Sequence, residues 1–320
     1  MNRKSIIAGT LLLSFVFAVF HFYSLNARQK QQTPISITSP QLKNKAAQAH
    51  IQVVFALDAT GSMRGLISAA KEKIWSIAGS MAQADPSPVV EIGLLFYRDR
   101  GDAFITKQVA LSTDLDAVYE KLMQISADGG GDEPESVNQA LHEAVTNFKW
   151  DTTESTYRTV FLVGDCPPHM DYRNDVPYPV SCTDAKHKDI VLNTILMGNN
   201  STAKRIWTEI ANCSQGSFTE VNMAANDITV NTPYDSVIAV ISDQLDDTRM
   251  YYGNEEDKLE ATAKKDKSKF ISSNTKANVK AQRAEFNTTK TGKESYYGSK
   301  ELLEEYRVNK KSVDAIKQEE

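Results

Sequence analysis

Residues 53–63 read Val-Val-Phe-Ala-Leu-Asp-Ala-Thr-Gly-Ser-Met, an apolar run that ends in an acid and two hydroxyl side chains. Residues 51–57 do not alternate and are rich in branched side chains, which predicts a strand covered on both faces in a mostly parallel sheet. Apolar residues at helical spacing follow over residues 66–81. Residues 58–62 are therefore predicted to form a strand-to-helix loop, where open α/β sheets bind their ligands.

Three oxygen-bearing side chains, Asp58, Thr60 and Ser62, occupy alternate positions of this loop. At that spacing they can point toward one centre, and hard oxygen ligands suit Mg²⁺, Mn²⁺ or Ca²⁺ rather than soft metals. We interpret the loop as part of a cation site. The alternative is that Asp58 and Ser62 cap the following helix.

Strand and helix patterns alternate through the rest of the body. Further strands are predicted over residues 89–97, 104–111 (at the sheet edge), 159–163, 190–197 and 218–221, and helices over 115–125, from about 134, 206–213 and 237–245. This order implies β-α-β units and a doubly wound, mostly parallel sheet with helices on both faces, a Rossmann-like α/β fold.

Two more strand ends carry acids. Asp132 follows a run of glycines, and Asp165 follows the strand predicted over residues 159–163. Loops at the carboxyl ends of parallel strands meet at one sheet edge. The predicted metal ligands are therefore Asp58, Thr60, Ser62, Asp132 and Asp165.

These motifs together resemble a known family. Residues 58–63 (Asp-Ala-Thr-Gly-Ser-Met), 131–135 (Gly-Asp-Glu-Pro-Glu) and 164–165 (Gly-Asp) resemble the metal-ion-dependent adhesion site of von Willebrand factor type A domains. Tyr-Arg-Asp at 97–99, the glycine run at 129–131 and Gly-Asp-x-Pro-Pro-His at 164–169 resemble the branch found in bacterial type A domain proteins, alpha-kinase relatives and hemicentins.

The resemblance covers residues 51–245. It implies a Rossmann-like fold, a bound Mg²⁺ or similar ion such as Mn²⁺ or Ca²⁺, and a protein partner whose carboxylate completes the coordination shell. It does not imply catalysis.

The second loop departs from the family pattern. Gly131 falls where a threonine commonly serves, and Asp132 is the expected substitute. An extra carboxylate would hold the ion more tightly and make it a weaker acceptor for a partner's acid. We expect constitutive metal occupancy with modest metal-mediated partner binding, and weak, millimolar Mg²⁺ binding would contradict this.

Nearby polar residues are not predicted to be metal ligands. Glu133 and Glu135 are read as helix-start acids favoured by the helix dipole rather than as ligands. Asp99 is either an acceptor behind the metal ligands or the salt-bridge partner of a neighbouring arginine. His169, in a Pro-Pro-His turn, is read as an ordinary loop histidine.

The alternative function is a metal-dependent hydrolase or phosphotransferase that uses the same acids. Thr60 stands where an aspartate phosphotransferase needs a second acid, and Ser62 lacks the G-x-S-x-G frame of a nucleophile elbow. Cys166 and His169 lack an evident orienting third group. We therefore expect a binding module and not an enzyme.

The amino terminus reads as an export signal. Basic residues 3–4 precede an apolar run at 6–20 and an aromatic edge that ends at Tyr23. The cleavage site is poor, so an uncleaved membrane anchor over residues 6–23 is favoured over a cleaved signal peptide. The predicted organisation is a signal anchor or signal peptide at 1–27, a linker at 28–49, the type A domain at 50–248 and a charged extension at 249–320. The domain is expected outside the cytoplasm, in the periplasm or the extracellular space.

The formal net charge of -5 argues against a nucleic-acid binder. The extension has few apolar residues and many Lys and Glu. The sequence allows two alternatives for the extension: helices over residues 259–270 and 296–316, or a disordered tail. The residues expected to fasten a docked tail to the body are Phe286, Tyr296, Tyr297, Leu302 and Leu303.

The chain has three cysteines, Cys166, Cys182 and Cys213, which fit one disulfide and a spare thiol in an exported protein. A Cys166–Cys182 pair is favoured because it would close the Pro-rich loop between them.

Overall fold

The computed structural model describes residues 49–131, 133–221, 232–297, 300–307, 310 and 312–318. Its centre is a six-stranded sheet in the order β3-β2-β1-β4-β5-β6. The strands are β1 (His50–Asp58), β2 (Val89–Tyr97), β3 (Thr106–Ser112), β4 (Thr156–Gly164), β5 (Ile190–Met197) and β6 (Phe218–Val221). All neighbours pair in parallel except β3, which runs antiparallel to β2 at the edge. The predicted fold class is confirmed.

Five helices accompany these strands in the described body. They are α1 (Arg64–Ala82), α2 (Leu115–Met123), α3 (Val137–Thr146), α4 (Tyr178–His187) and α5 (Ser201–Cys213). Helix α3 begins at Val137, after Pro134, and α4 was missed because Pro177 and Pro179 made its segment read as irregular.

The sheet separates two apolar cores. One lies under α1 and α2 and includes Trp75 and Tyr119, and the other lies under α3 to α5 and includes Leu141 and Trp207. Central strand β1 supplies both, since Val53 faces the first core and Val54 the second, each at 0% exposure. This burial on both faces is what the unbroken apolar run predicted.

The described part of the chain after β6 is helical and packs on the body. Helix α6 (Asp235–Asp247) corresponds to the helix predicted over 237–245 at the end of the domain. The extension carries α7 (Glu255–Asn274), α8 (Ala277–Thr288), α9 (Lys290–Tyr297), α10 (Leu302–Arg307) and α11 (Val313–Lys317). Phe286 of α8 is buried, and its ring centroid lies 5.8 Å from that of Trp75 in α1. Phe286 therefore fastens the tail as predicted, whereas Leu303 is exposed and does not. The disordered alternative is wrong for the described helices, and the side chains of Tyr296 and Tyr297 lie outside the described residues.

The predicted disulfide is wrong. The bond joins Cys182 to Cys213, whose Cα atoms are 5.9 Å apart, and Cys166 is free and buried. Cys182 lies on the inner face of α4, which packs beside the end of α5 where Cys213 stands. The Cys166 main chain is held elsewhere, because its carbonyl accepts a 3.1 Å hydrogen bond from Trp207 Nε1.

No helix within the described residues is both long enough and apolar enough to cross a membrane. The predicted anchor at residues 6–23 and, apart from Ala49, the predicted linker at 28–49 lie outside the described residues.

Candidate metal centre

The ends of β1 and β4 lie side by side and deliver two acids to one edge of the sheet. Asp58 ends β1 at 0% exposure, and Asp165 follows Gly164, the last residue of β4. Gly164 permits this approach. A Cβ atom there would lie 2.3 Å from Tyr97 Oη and 3.1 Å from Asp58 Oδ2, so a larger residue would push the two strand ends apart.

The first loop gathers its predicted ligands. Thr60 donates to Asp58 Oδ1 through both its main-chain N–H (2.8 Å) and its hydroxyl (2.6 Å). The Thr60 hydroxyl also lies 3.1 Å from Ser62 Oγ. Asp58 and Thr60 are fully buried and Ser62 is exposed, so the group is reached from solvent on the Ser62 side.

The second loop is joined to the first by main-chain hydrogen bonds. Gly61 N–H donates to the Gly129 carbonyl (3.0 Å), and Asp128 N–H donates to the Ala59 carbonyl (3.1 Å). Gly130 adopts φ of 75°, a conformation that favours glycine, and a Cβ atom there would lie 2.9 Å from Thr60 Cβ. Asp132 lies outside the described residues, so its role as a ligand stays a prediction.

Glu135 joins this group, which the sequence did not predict. It is 3% exposed and precedes α3 rather than lying in its first turn. A Cβ atom on Gly130 would lie 3.1 Å from Glu135 Oε1, so this carboxyl group borders the same glycine as Thr60. We call Asp58, Thr60, Ser62, Glu135 and Asp165 the edge cluster.

The edge cluster is crowded with negative charge. Burial, opposed by the hydrogen bonds from Thr60 and reinforced by Asp165, raises the pKa of Asp58 to about 7. Burial and the neighbouring acids, Asp58 first, raise the pKa of Glu135 to about 9. No Lys, Arg or His within the described part of the chain forms an ion pair with any of the three acids.

Each acid of the edge cluster also keeps a buried oxygen without a hydrogen-bond partner among the described residues. These atoms are Asp58 Oδ2, Glu135 Oε2 and Asp165 Oδ1. Buried polar atoms are normally paired, so these oxygens call for a positive group from outside the described residues. Within the described residues, no set of three or more His, Cys, Asp and Glu side chains is arranged to hold a metal by itself. A site here therefore also needs the hydroxyls of Thr60 and Ser62.

The family of von Willebrand factor A domains matches residues 52–234, more than half of the chain. The chain belongs to this family. The resemblance found in the sequence is thereby confirmed at the level of the family, while the placement in the bacterial-type branch stays a prediction.

Similar proteins were found in two further comparisons. A putative ariadne-like RING finger protein, R811, of Acanthamoeba polyphaga mimivirus is 29% identical over 123 residues, which cover 38% of this chain and 12% of that protein. The matched segment thus spans about an eighth of the length of this curated relative.

Among solved structures, proximal thread matrix protein 1 from the mussel byssus shares 13% identity at a TM-score of 0.41, over 57% of this chain and 45% of that one. A second structure of the byssus protein has a zinc-occupied MIDAS motif, with 14% identity and a TM-score of 0.42 over 54% and 42% of the two chains. The SpRpn10 VWA domain shares 11% identity at a TM-score of 0.42, over 58% of this chain and 96% of that one.

Behind the edge cluster of this type A domain, a second network fixes the loops. Asp99 accepts hydrogen bonds from Ser136 Oγ (2.7 Å) and Tyr172 Oη (2.8 Å) and lies 3.4 Å from His169 Nε2. Arg98 instead donates to the Ala59 carbonyl at 3.0 Å, and Arg100 pairs with Asp175. The salt bridge between Asp99 and a neighbouring arginine is therefore wrong, and Asp99 acts as an acceptor that positions the loops.

Proposed function

We propose that this chain is a type A domain that binds a divalent cation at the edge cluster and uses the loaded edge to capture a protein partner. The buried, unpartnered oxygens Asp58 Oδ2 and Asp165 Oδ1 carry the proposal, because a cation bound beside them and the hydroxyls of Thr60 and Ser62 would supply the positive charge that these acids lack. Asp58, Thr60, Ser62 and Asp165 would hold the ion, joined by Asp132 as the sequence predicts. When bound, the ion supplies positive charge and a coordination position for a partner's oxygen.

Mg²⁺ is the proposed ion, with Mn²⁺ or Ca²⁺ as alternatives. Every side chain of the edge cluster offers a hard oxygen, which these cations prefer over soft ligands. Nitrogen and thiolate ligands are the ones that favour softer metals. Titration of the protein with each of the three cations would distinguish among them.

The partner we propose is a protein that presents a carboxylate to the ion. Ser62 and the glycines at 129–131 form an exposed or half-exposed rim around the buried acids, so a protruding acidic side chain has access. The acidic net charge disfavours nucleic acid as the partner.

For the location we propose an exported protein held at a membrane by residues 6–23, with the domain in the periplasm or the extracellular space. The basic start and the apolar run that follows support export. The Cys182–Cys213 disulfide fits an oxidising compartment.

We propose binding rather than catalysis for this domain. Cys166 supports the choice, since burial, strengthened by Asp165, raises the pKa of its thiol and disfavours the thiolate that a nucleophile requires. A hydrolase or phosphotransferase built on the same acids is the alternative that an assay must address.

The function is tested by cross-linking mass spectrometry on native membranes that carry the wild type, Asp58→Ala or the matched control Asp128→Ala. Asp128 is an exposed acid of the second loop. The proposal expects a protein that is captured in Mg²⁺ by the wild type and the control and is lost in EDTA or in Asp58→Ala. Equal capture by all samples would contradict it. Turnover of a generic phosphoester that disappears in Asp58→Ala would favour the enzyme.

A further inference from the structure

Strand β2 ends beside the edge cluster without giving it a ligand. Its last residue, Tyr97, donates its hydroxyl to the Val163 carbonyl at 3.1 Å, and Asp99 accepts from the loops behind the cluster. Between them, Arg98 is only 5% exposed although its side chain carries a positive charge. These three residues are the Tyr-Arg-Asp motif of the sequence, and Arg98 has no role in the proposed function so far.

The guanidinium group of Arg98 links the first two loops of the site. Its Nε donates to the Ala59 carbonyl at 3.0 Å, and its Nη2 donates to the Ser126 carbonyl at 2.8 Å. Ala59 lies between the predicted ligands Asp58 and Thr60, and Ser126 leads into the second loop. One side chain therefore ties together two segments that are far apart in the sequence.

The bond from Arg98 completes the main-chain hydrogen bonding of Ala59. Ala59 N–H donates to the Tyr97 carbonyl at 2.8 Å, and the Ala59 carbonyl accepts from Asp128 N–H at 3.1 Å as well as from Arg98. A carbonyl oxygen has two lone pairs, and both are used here. The position of Ala59 fixes the main chain from which the side chains of the first loop project.

A salt bridge does not explain the burial of Arg98. Among the described residues Arg98 forms no ion pair with an acid. Its guanidinium carbon lies 4.4 Å from the ring centroid of Phe104. Burying a charge costs several kcal/mol unless it is paired and hydrogen-bonded, and the planar fork of arginine can reach two acceptors at once. The two loop carbonyls are therefore the polar partners that hold Arg98 in place.

We propose that Arg98 is a positioning residue of the cation site, which holds the first loop against the second so that the first-loop oxygens are preorganised for the ion. This inference rests on the proposed cation site. Arg98 acts through the main chain of Ala59 and not by ligation. Ligands that are already in place lose less freedom when the ion binds, so removal of this link should weaken binding.

Arg158 offers a matched control at the opposite end of the sheet, where it pairs in register with Gln52 of β1. Arg158 is also 5% exposed and donates to two main-chain carbonyls, those of Asp151 at 2.6 Å and Thr153 at 3.1 Å. It additionally pairs with Asp189 at 3.2 Å. Loss of the Arg158 side chain should therefore destabilise the fold without reaching the loops of the edge cluster.

The first measurement is the affinity for Mn²⁺ of the purified full chain, with free Mn²⁺ followed by electron paramagnetic resonance during titration. We expect Arg98→Met to weaken Mn²⁺ binding by about tenfold or more and Arg158→Met by less than about twofold. Arg98→Lys keeps the charge but lacks the planar fork, so we expect a loss of at least about threefold, and this variant carries the test if Arg98→Met does not fold. Wild-type affinity in either folded Arg98 variant, or an equal loss in Arg158→Met, would overturn the proposal.

The second measurement needs no ion. Amide hydrogen exchange in EDTA reports on the link between the loops through Asp128 N–H, which donates to the Ala59 carbonyl beside Arg98. We expect exchange at this amide to be about tenfold faster in the folded Arg98 variant than in Arg158→Met. Equal exchange in the two variants would show that Arg98 does not hold the loops together.

The failures of the two proposals are distinguishable. If the wild type binds no Mn²⁺, the cation site itself is wrong, and the role of Arg98 in it falls as well. If the wild type binds Mn²⁺, Asp58→Ala abolishes binding, and the Arg98 variants bind as tightly as the wild type, then the cation site stands and the positioning role of Arg98 is wrong.

Discussion

Two groups of buried acids in this molecule are balanced in opposite ways. In the edge cluster, Asp58, Glu135 and Asp165 have no cationic side chain beside them among the described residues. In the second group, which we call the arginine cluster, Arg283 lies between Asp116 and Asp246, and Arg249 pairs with Asp246 at 3.1 Å. Among the described residues, cationic side chains supply the counter-charge where the tail meets the body, and none supplies it at the sheet edge.

In the arginine cluster, the side chain of Arg283 compensates the carboxylate of Asp116 directly. Arg283 is 3% exposed and donates two hydrogen bonds to the Asp116 carboxylate, at 2.7 and 2.6 Å, and a third to Ser268 Oγ at 3.0 Å. Paired, hydrogen-bonded charges of this kind are the form in which proteins bury acids. The difference supports the proposal that the edge cluster binds a cation from solution, whereas the arginine cluster joins the tail to the body through side chains of the protein.

The largest expected effect comes from a substitution that disrupts the arginine cluster. Arg283→Met leaves Asp116 and Asp246 buried near each other with less compensation, which should lower the free energy of unfolding by about 3–5 kcal/mol. Urea unfolding measures this, with and without Mg²⁺, and the loss should be the same in both. Lys290→Met is the control, because its ion pair with Glu294 is exposed and 3.9 Å long. A loss below about 1 kcal/mol for Arg283→Met would show that this joint does not hold the tail.

The second prediction concerns the edge cluster, where a substitution should stabilise the ion-free protein instead of destabilising it. Asp58→Asn removes one of the crowded charges, keeps a hydrogen-bond acceptor for Thr60 and adds a donor near Asp165. At about pH 8 and without divalent ions, this substitution should therefore raise the free energy of unfolding by about 1–3 kcal/mol. Added Mg²⁺ should then stabilise the wild type but not the variant. Asp128→Asn should behave as the wild type in both conditions. Destabilisation of the ion-free Asp58→Asn protein would mean that the acid has a structural partner.

A third prediction concerns pH. Because folding raises the pKa of Asp58 from 3.8 to about 7, the folded, ion-free protein holds this proton more tightly than the unfolded chain. Its stability should therefore fall as pH rises from about 4 through about 7, and the pKa of Glu135 near 9 extends the fall. Cations bind the ionised acids, so the stabilisation by Mg²⁺ should grow between about pH 6 and about pH 8. Unfolding curves in EDTA and in Mg²⁺ check this, and a Mg²⁺ effect that is independent of pH would contradict it.

The smallest expected effect lies at another contact of the tail. Lys267 of α7 pairs at 2.9 Å with Asp114, the residue that caps α2 by accepting from Ala117 N–H. Burial alone would raise the pKa of Asp114, but the Lys267 and Ala117 hydrogen bonds outweigh it and hold the pKa below its ordinary value. Lys267→Met should cost about 0.5–1 kcal/mol at neutral pH. This contribution should disappear as pH falls through the lowered pKa, and it should not depend on Mg²⁺. A double-mutant cycle with Asp114→Asn measures the coupling energy, and a value near zero would show that this ion pair does not stabilise the protein.

The sequence predicted the parts of the site that depend on local pattern. The unbroken apolar run of β1 and the alternate oxygens of Asp58, Thr60 and Ser62 are local features, and the position of Asp165 follows from the end of β4. The glycine run marked the second loop because residues with positive φ interrupt regular structure. Asp132 lies outside the described residues and stays a prediction.

The parts that were missed depend on contacts between distant segments. Glu135 looked like a helix-start acid, and its burial arises from main-chain bonds to Pro167 and His169 that no local pattern encodes. The disulfide depends on which face of α4 packs against α5, which placed Cys182 beside Cys213. The docked tail depends on Arg283, whose partner Asp116 lies far away in the sequence.

The most direct test of the central claim is a crystal structure of the protein grown with Mn²⁺, with data collected at the manganese edge. The account predicts an anomalous peak among the carboxylate oxygens of Asp58 and Asp165 and the hydroxyl of Ser62, and no peak at the arginine cluster. An edge cluster without a peak at a Mn²⁺ concentration that saturates the protein, or with its acids paired to a Lys or Arg of the chain, would contradict the account.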